Sequence, residues 1–177
     1  MPSLRLSNLP NRHPRSVRIV VTALRLVIGI IFIASGFAKA VDPWGSVYKI
    51  GEYLSVWGWD FSHAMLVSAA VGLSALEFLC GMMLLLGCYR RSVVVVLLAM
   101  MAFMLPLTLY IWLTDPVADC GCFGDWLLLS NGATFAKNIA ITLALIILLP
   151  YNRLQRALVS PYIQWMPLVV SMIYILG

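Results

Sequence analysis

Four apolar runs, each close to the length of a membrane-crossing helix, follow one another along this chain with short polar segments between them. A helix needs roughly 20 apolar residues to cover the hydrocarbon thickness of a bilayer. Ile19–Ala38 meets that length with Arg25 as its single charge, and Ala64–Gly87 meets it with Glu77 and Cys80 inside. A third run goes from Val93 to about Leu113 and contains Pro106, which frees the Ala102 carbonyl and predicts a kink. The fourth, Thr134–Leu149, is short, with Lys137 near its start reaching for the interface. A fifth candidate, Pro161–Gly177, ends abruptly, as expected of a span that docks on a partner or of a chain that once continued outward. The expected fold is therefore an all-α integral membrane protein, a four-helix transmembrane bundle with a fifth C-terminal span. With 62% of residues hydrophobic and 11% charged, the chain is far more apolar than a soluble domain, in which about half the residues are apolar.

The segments between the runs divide the chain into a tail over 1–18, a bundle over 19–150 and a turn with the last span over 151–177. The tail carries Arg5, Arg12, Arg15 and Arg18 with three prolines and no apolar periodicity, which reads as a disordered basic arm. Ala38-Lys39-Ala40 mimics a signal-peptide cleavage site, but the run before it exceeds the usual length of roughly 7–15 residues, so retention as a spanning helix is expected. Residues 40–63 mix Asp42, Glu52 and Asp60 with Trp44, Tyr48, Tyr53, Trp57 and Trp59, the composition of a segment at headgroup level. Asp42-Pro43 starts a short amphipathic helix there, with proline in the first turn.

Alternating the runs across the bilayer puts Arg5, Arg12, Arg15, Arg18, Arg90, Arg91, Arg153 and Arg156 on one side and Lys39, Lys49 and Lys137 on the other. Lysine and arginine in short flanking segments mark the cytoplasmic side. The amino terminus is thus expected in the cytoplasm and the protein in a bacterial inner membrane. The net charge of +5 is an orientation signal on this reading and does not indicate nucleic acid. Membrane lipid and an extracytoplasmic protein are the expected partners, in a homo- or hetero-oligomer.

The same alternation puts Asp119-Cys120-Gly121-Cys122-Phe123-Gly124-Asp125 outside, where disulfides persist. A Cys120–Cys122 bond closes a very small ring, with Cα atoms near the upper limit of roughly 4.4–6.8 Å. Strain of that kind belongs to labile, exchangeable disulfides. Gly121 and Gly124 provide the backbone freedom for the turn, and Lys137, folded back at the start of the fourth span, would lower a thiol pKa. Two plainer readings stand beside this one: buried structural cysteines, or a tight turn that shapes a docking loop. A metal site is not expected, since two soft ligands with His63 as the only external histidine fall short of a tetrahedral set. Cys80 and Cys88 lie toward the cytoplasmic side, Cys80 as packing or, as the lesser reading, against a quinone-like ligand, and Cys88 as a reduced thiol.

An ionisable group at membrane depth is costly and by default a site candidate. Counted inward from the cytoplasmic ends of their runs, Arg25 and Glu77 lie at similar depths. The expectation is either a buried ion pair that pins the first span to the second or a Glu77 that accepts protons beside a ligand. Gly29, Gly36, Gly72, Ser74 and Gly81 give the same two spans small residues for close approach.

Ser35-Gly36-Phe37-Ala38-Lys39-Ala40-Val41-Asp42-Pro43, Glu77 with Cys80-Gly81 and Leu86-Gly87, and Asp119-Cys120-Gly121-Cys122-Phe123-Gly124 together resemble the DoxX-like membrane proteins and, within them, the MauE-type branch. The resemblance covers roughly residues 19–150. It implies a four-helix membrane bundle engaged in extracytoplasmic thiol–disulfide or quinone-linked redox or maturation work, with Cys120 and Cys122 as the redox pair and a quinone as the carrier class. The alternative is a non-catalytic membrane anchor or assembly subunit of a larger complex.

Overall fold

The computed structural model describes residues 15–56, 58–59, 61–114 and 130–151, together with Trp165, Met166, Val169 and Ile173. The described residues form α1 (Arg15–Val41), α2 (Pro43–Val56), α3 (His63–Leu86), α4 (Arg90–Thr114) and α5 (Asn131–Leu148). All but α2 are long and apolar enough to cross a bilayer. Helices are the form such runs must take, because hydrocarbon offers no partner for an unpaired N–H or C=O. The candidate span Pro161–Gly177 lies outside the described residues apart from the four named above.

Side-chain chemistry sets the helix ends. The Asp42 carboxylate accepts from the Gly45 N–H at 3.1 Å, capping α2 with Pro43 in its first position. At the end of α3, Gly87 takes φ 72°, Gly87 N–H bonds Leu84 O at 3.2 Å and Cys88 N–H bonds Met83 O at 2.9 Å. That paired closure reverses the chain within three residues, and α4 starts at Arg90. Ser130 caps α5, its hydroxyl accepting from Ala133 N–H at 3.4 Å.

The helices run up to four residues past the apolar runs, α1 ending at Val41 and α4 starting at Arg90. The first span begins four residues earlier, because Arg15–Arg18 form the opening turn of α1 and do not belong to the tail. The last begins at Asn131, so Lys137 sits in the second turn of α5. α4 continues through Pro106 as a single helix to Thr114.

The register is read from the contacts. Gly29 lies against Gly81 and Leu85, and Gly36 against Ser74 and Phe78, so α1 and α3 run antiparallel. Trp112 stacks on Phe135 and Thr108 meets Asn138, so α4 and α5 are antiparallel too. The end of α1, the start of α3, the end of α4 and the start of α5 therefore share one end of the bundle, called here the outer end. α2 packs there against the start of α3, with the Trp44 and His63 rings edge to face at 5.4 Å and Val47 buried. The apolar core occupies the other half: Val21, Ile28 and Phe32 of α1, Met83 and Leu84 of α3, Val94, Leu97 and Met101 of α4, and Ile141, Leu145 and Leu148 of α5.

Candidate functional site

Buried polar residues are not spread evenly through this interior. Among the described residues, apart from Arg25, they are Ser35, Lys39, Ser46, Ser74, Glu77, Thr108, Asn131, Thr134 and Asn138. On each of α1, α3, α4 and α5 they lie nearer the outer end than the core residues Ile28, Leu84, Leu97 and Leu145.

At the centre of this polar region is a charged ring between α1 and α3. Lys39 Nζ lies 2.7 Å from each Glu77 carboxylate oxygen and 3.2 Å from Ser35 Oγ, and Ser35 donates to Glu77 Oε2 at 2.8 Å. Lys39 is 7% exposed and Glu77 5%. Ser35 and Lys39 are four residues apart, so they share a helix face, and the lysine stem runs back toward the amino end of α1 over Ser35. One turn away, Ser74 donates to Gly36 O at 2.8 Å, tying the two backbones together. The ammonium has an acceptor for each of its three protons and the carboxylate accepts three bonds. The ring is thus charge-neutral and satisfied within itself, as a buried ion pair must be to recover its desolvation cost.

Glu77 pairs with Lys39 and not, as the sequence suggested, with Arg25. The register makes Glu77 level with Ser35 and Arg25 level with Gly87, some 15 Å apart along α1 at 1.5 Å per residue. Depth counted from the edge of an apolar run failed because α1 extends well beyond the end of α3. Sequence reading missed Lys39 and Ser35 as site residues, although Gly36-x-x-Lys39 was visible. The signal was the four-residue spacing of a hydroxyl and an amine opposite a lone buried carboxylate.

Of the other predicted residues, Lys137 is half-buried on α5. Cys120 and Cys122 lie outside the described residues; the segment that carries them leaves α4 at Thr114 and rejoins at Ser130, both at the outer end. Cys80 and Cys88 are free and buried in the core, and burial pushes the Cys88 thiol pKa up in its turn. Among the described residues no group of His, Cys, Asp and Glu is arranged to hold a metal ion.

Four apolar antiparallel helices with a polar interior at one end define a multi-pass membrane bundle. The family profile described as methylamine utilisation protein MauE matches residues 17–151, most of the chain, and the chain belongs to that family. Comparison with curated proteins and with solved structures gives no match.

Proposed function

We propose that this membrane protein serves extracytoplasmic thiol–disulfide chemistry, with Cys120 and Cys122 as the exchanging pair. The observation that carries the reading is the shared end of the bundle. The segment bearing both cysteines departs and returns where the interior is polar, opposite the end that carries Arg15, Arg18, Arg90 and Arg91. With the basic end in the cytoplasm of a bacterial inner membrane, the cysteines face a compartment that maintains disulfides. One thiolate attacks a partner disulfide, forming a mixed disulfide and releasing one partner sulfur as thiolate. The second cysteine then attacks the mixed bond, leaving the partner as dithiol and Cys120–Cys122 oxidised. A quinol that gives up two electrons and two protons would return Cys120–Cys122 to the dithiol; in the reverse flow a partner dithiol reduces the Cys120–Cys122 disulfide and a quinone takes up the two electrons and two protons, and the resemblance to DoxX-like proteins favours that carrier class.

The test is trapping. Cys120→Ser or Cys122→Ser should hold an extracytoplasmic protein in a reducible complex on non-reducing gels; if neither does and both support normal growth, the exchange reading fails. The closed Ser35–Lys39–Glu77 ring favours a second reading, a structural anchor or assembly subunit, since it keeps every strong donor for itself. On that reading the two cysteines keep one redox state across graded thiol buffers.

A further inference from the structure

α1 and its neighbours meet the membrane at different levels at the basic end. The α1–α3 register puts Arg25 level with Gly87, beside the turn that begins α4 at Arg90. α1 continues past that level to Arg15, an overhang beyond the end of α3 of about 15 Å at 1.5 Å per residue, one face of which, Val17 and Val21, still packs on the core. Within the overhang Ile19 is 62% exposed and Val20 55%, continuing the exposed stripe of Leu26, Val27 and Ile30. In a bilayer such a stripe faces acyl chains, so hydrocarbon reaches at least to Ile19 on α1. About 9 Å deeper, some six residues along the helix, the α3–α4 turn presents Arg91 exposed and Arg90 half-buried, with the buried Arg25 in electrostatic reach of Arg90. The acidic side chains among the described residues are Asp42, Glu52 and Glu77, none of them at this end.

Guanidinium groups at hydrocarbon depth draw headgroups and water inward, and the bilayer thins to let them. A phosphate meets a guanidinium through two parallel hydrogen bonds, which suits arginine better than a point charge. We propose that the α3–α4 turn seats the phosphate headgroup of an anionic phospholipid on Arg90 and Arg91, drawn below the level of the leaflet around α1. Within the turn Cys88 is fully buried, and Tyr89 holds φ 41°, a left-handed conformation uncommon for a residue with a side chain.

The full chain in detergent, titrated with phosphatidylglycerol or phosphatidylcholine and followed by native mass spectrometry, tests the site. Phosphatidylglycerol should bind about thirty-fold more tightly, the sum of two arginines near a headgroup. Arg90→Gln with Arg91→Gln should abolish the preference, and the corresponding lysines should retain part of it. Arg91→Gln alone, at an exposed position, should lower it about five-fold and keeps the test readable if the double variant does not fold. Millimolar inorganic phosphate should leave the lipid bound. The proposal is overturned if the glutamine variants keep the preference, if both lipids bind alike, or if inorganic phosphate displaces the lipid, which would make the ligand a free anion.

Discussion

Along the α1–α3 seam the backbones themselves touch, whereas along α4–α5 the helices are held apart by side chains. A Cβ built on Gly36 would fall 2.5 Å from Phe78 N and 2.8 Å from Ser74 O, and one on Gly81 2.7 Å from Ile33 N. At α4–α5, beside the core packing of Val94, Leu97 and Met101 with Ile141, Leu145 and Leu148, the specific contacts include the Trp112–Phe135 stack at 5.5 Å between centroids and a 3.4 Å bond from Asn138 Nδ2 to Thr108 Oγ1. Hydrocarbon gives no hydrophobic reason for helices to associate, so each seam needs close packing or polar contacts. The first seam brings backbones into contact and buries a pair of charges; the second relies on side-chain core packing, an aromatic pair and a weak polar contact. The α1–α3 hairpin is thus the rigid half, and the half that carries the feet of the Cys120–Cys122 segment is the more adaptable one.

The largest expected effect comes from splitting the charged ring. Glu77→Leu leaves the Lys39 ammonium buried without its carboxylate and should cost about 3–5 kcal/mol, read as a lower denaturant midpoint in SDS-titrated micelles. Lys39→Met should cost a similar amount. The double variant replaces both charges with apolar groups of similar volume and should recover most of the loss. Recovery makes the ring a clasp. If the double variant stays as unstable as either single one, the ring is not a clasp, and if it folds normally while thiol exchange is lost, Glu77 and Lys39 act in the chemistry.

Next in size is the packing of the glycines. Gly36→Ala must move backbone, since the nearest atoms belong to the main chain of α3, and overpacking of this kind costs about 1–3 kcal/mol. Gly72→Ala is the internal control. Nothing lies within 4 Å of a Cβ there, so it should stabilise by roughly 0.5–1 kcal/mol through helix propensity alone. Equal effects at the two positions would remove backbone contact as the distinction between the seams.

These two glycines also show what could be read from the chain before its fold. The spans, the α2 helix after Asp42-Pro43 and the small-residue face on α1 and α3 follow from apolar length and local chemistry, and they appear where that chemistry puts them. Gly72 was grouped with Gly29, Gly36 and Gly81 because composition records that a residue is small and not which way it faces. The Lys39–Glu77 pair was hidden for a related reason. Lys39 stands at the end of an apolar run, where a lysine is ordinarily solvated, and only the relative slide of α1 and α3 brings it over Glu77. Thr108, Thr134 and Asn138 carried no signal either, since single hydroxyls and amides in apolar runs are common, and their grouping depends on the α4–α5 register.

The smallest effect, and the sharpest test of the contrast, lies at α4–α5. Thr108 gives its proton to Met104 O at 2.8 Å and accepts from Asn138 Nδ2 only at 3.4 Å, the long limit of a hydrogen bond. Interhelical bonds of this kind in membrane bundles average about 0.6 kcal/mol. Asn138→Leu should therefore shift the unfolding midpoint only slightly, because a single long bond is lost, and Thr108→Val should do no more. A loss at Asn138 approaching that of Glu77→Leu would mean that the amide satisfies a partner beyond Thr108. The two seams would then differ in what they bind and not in how tightly they close.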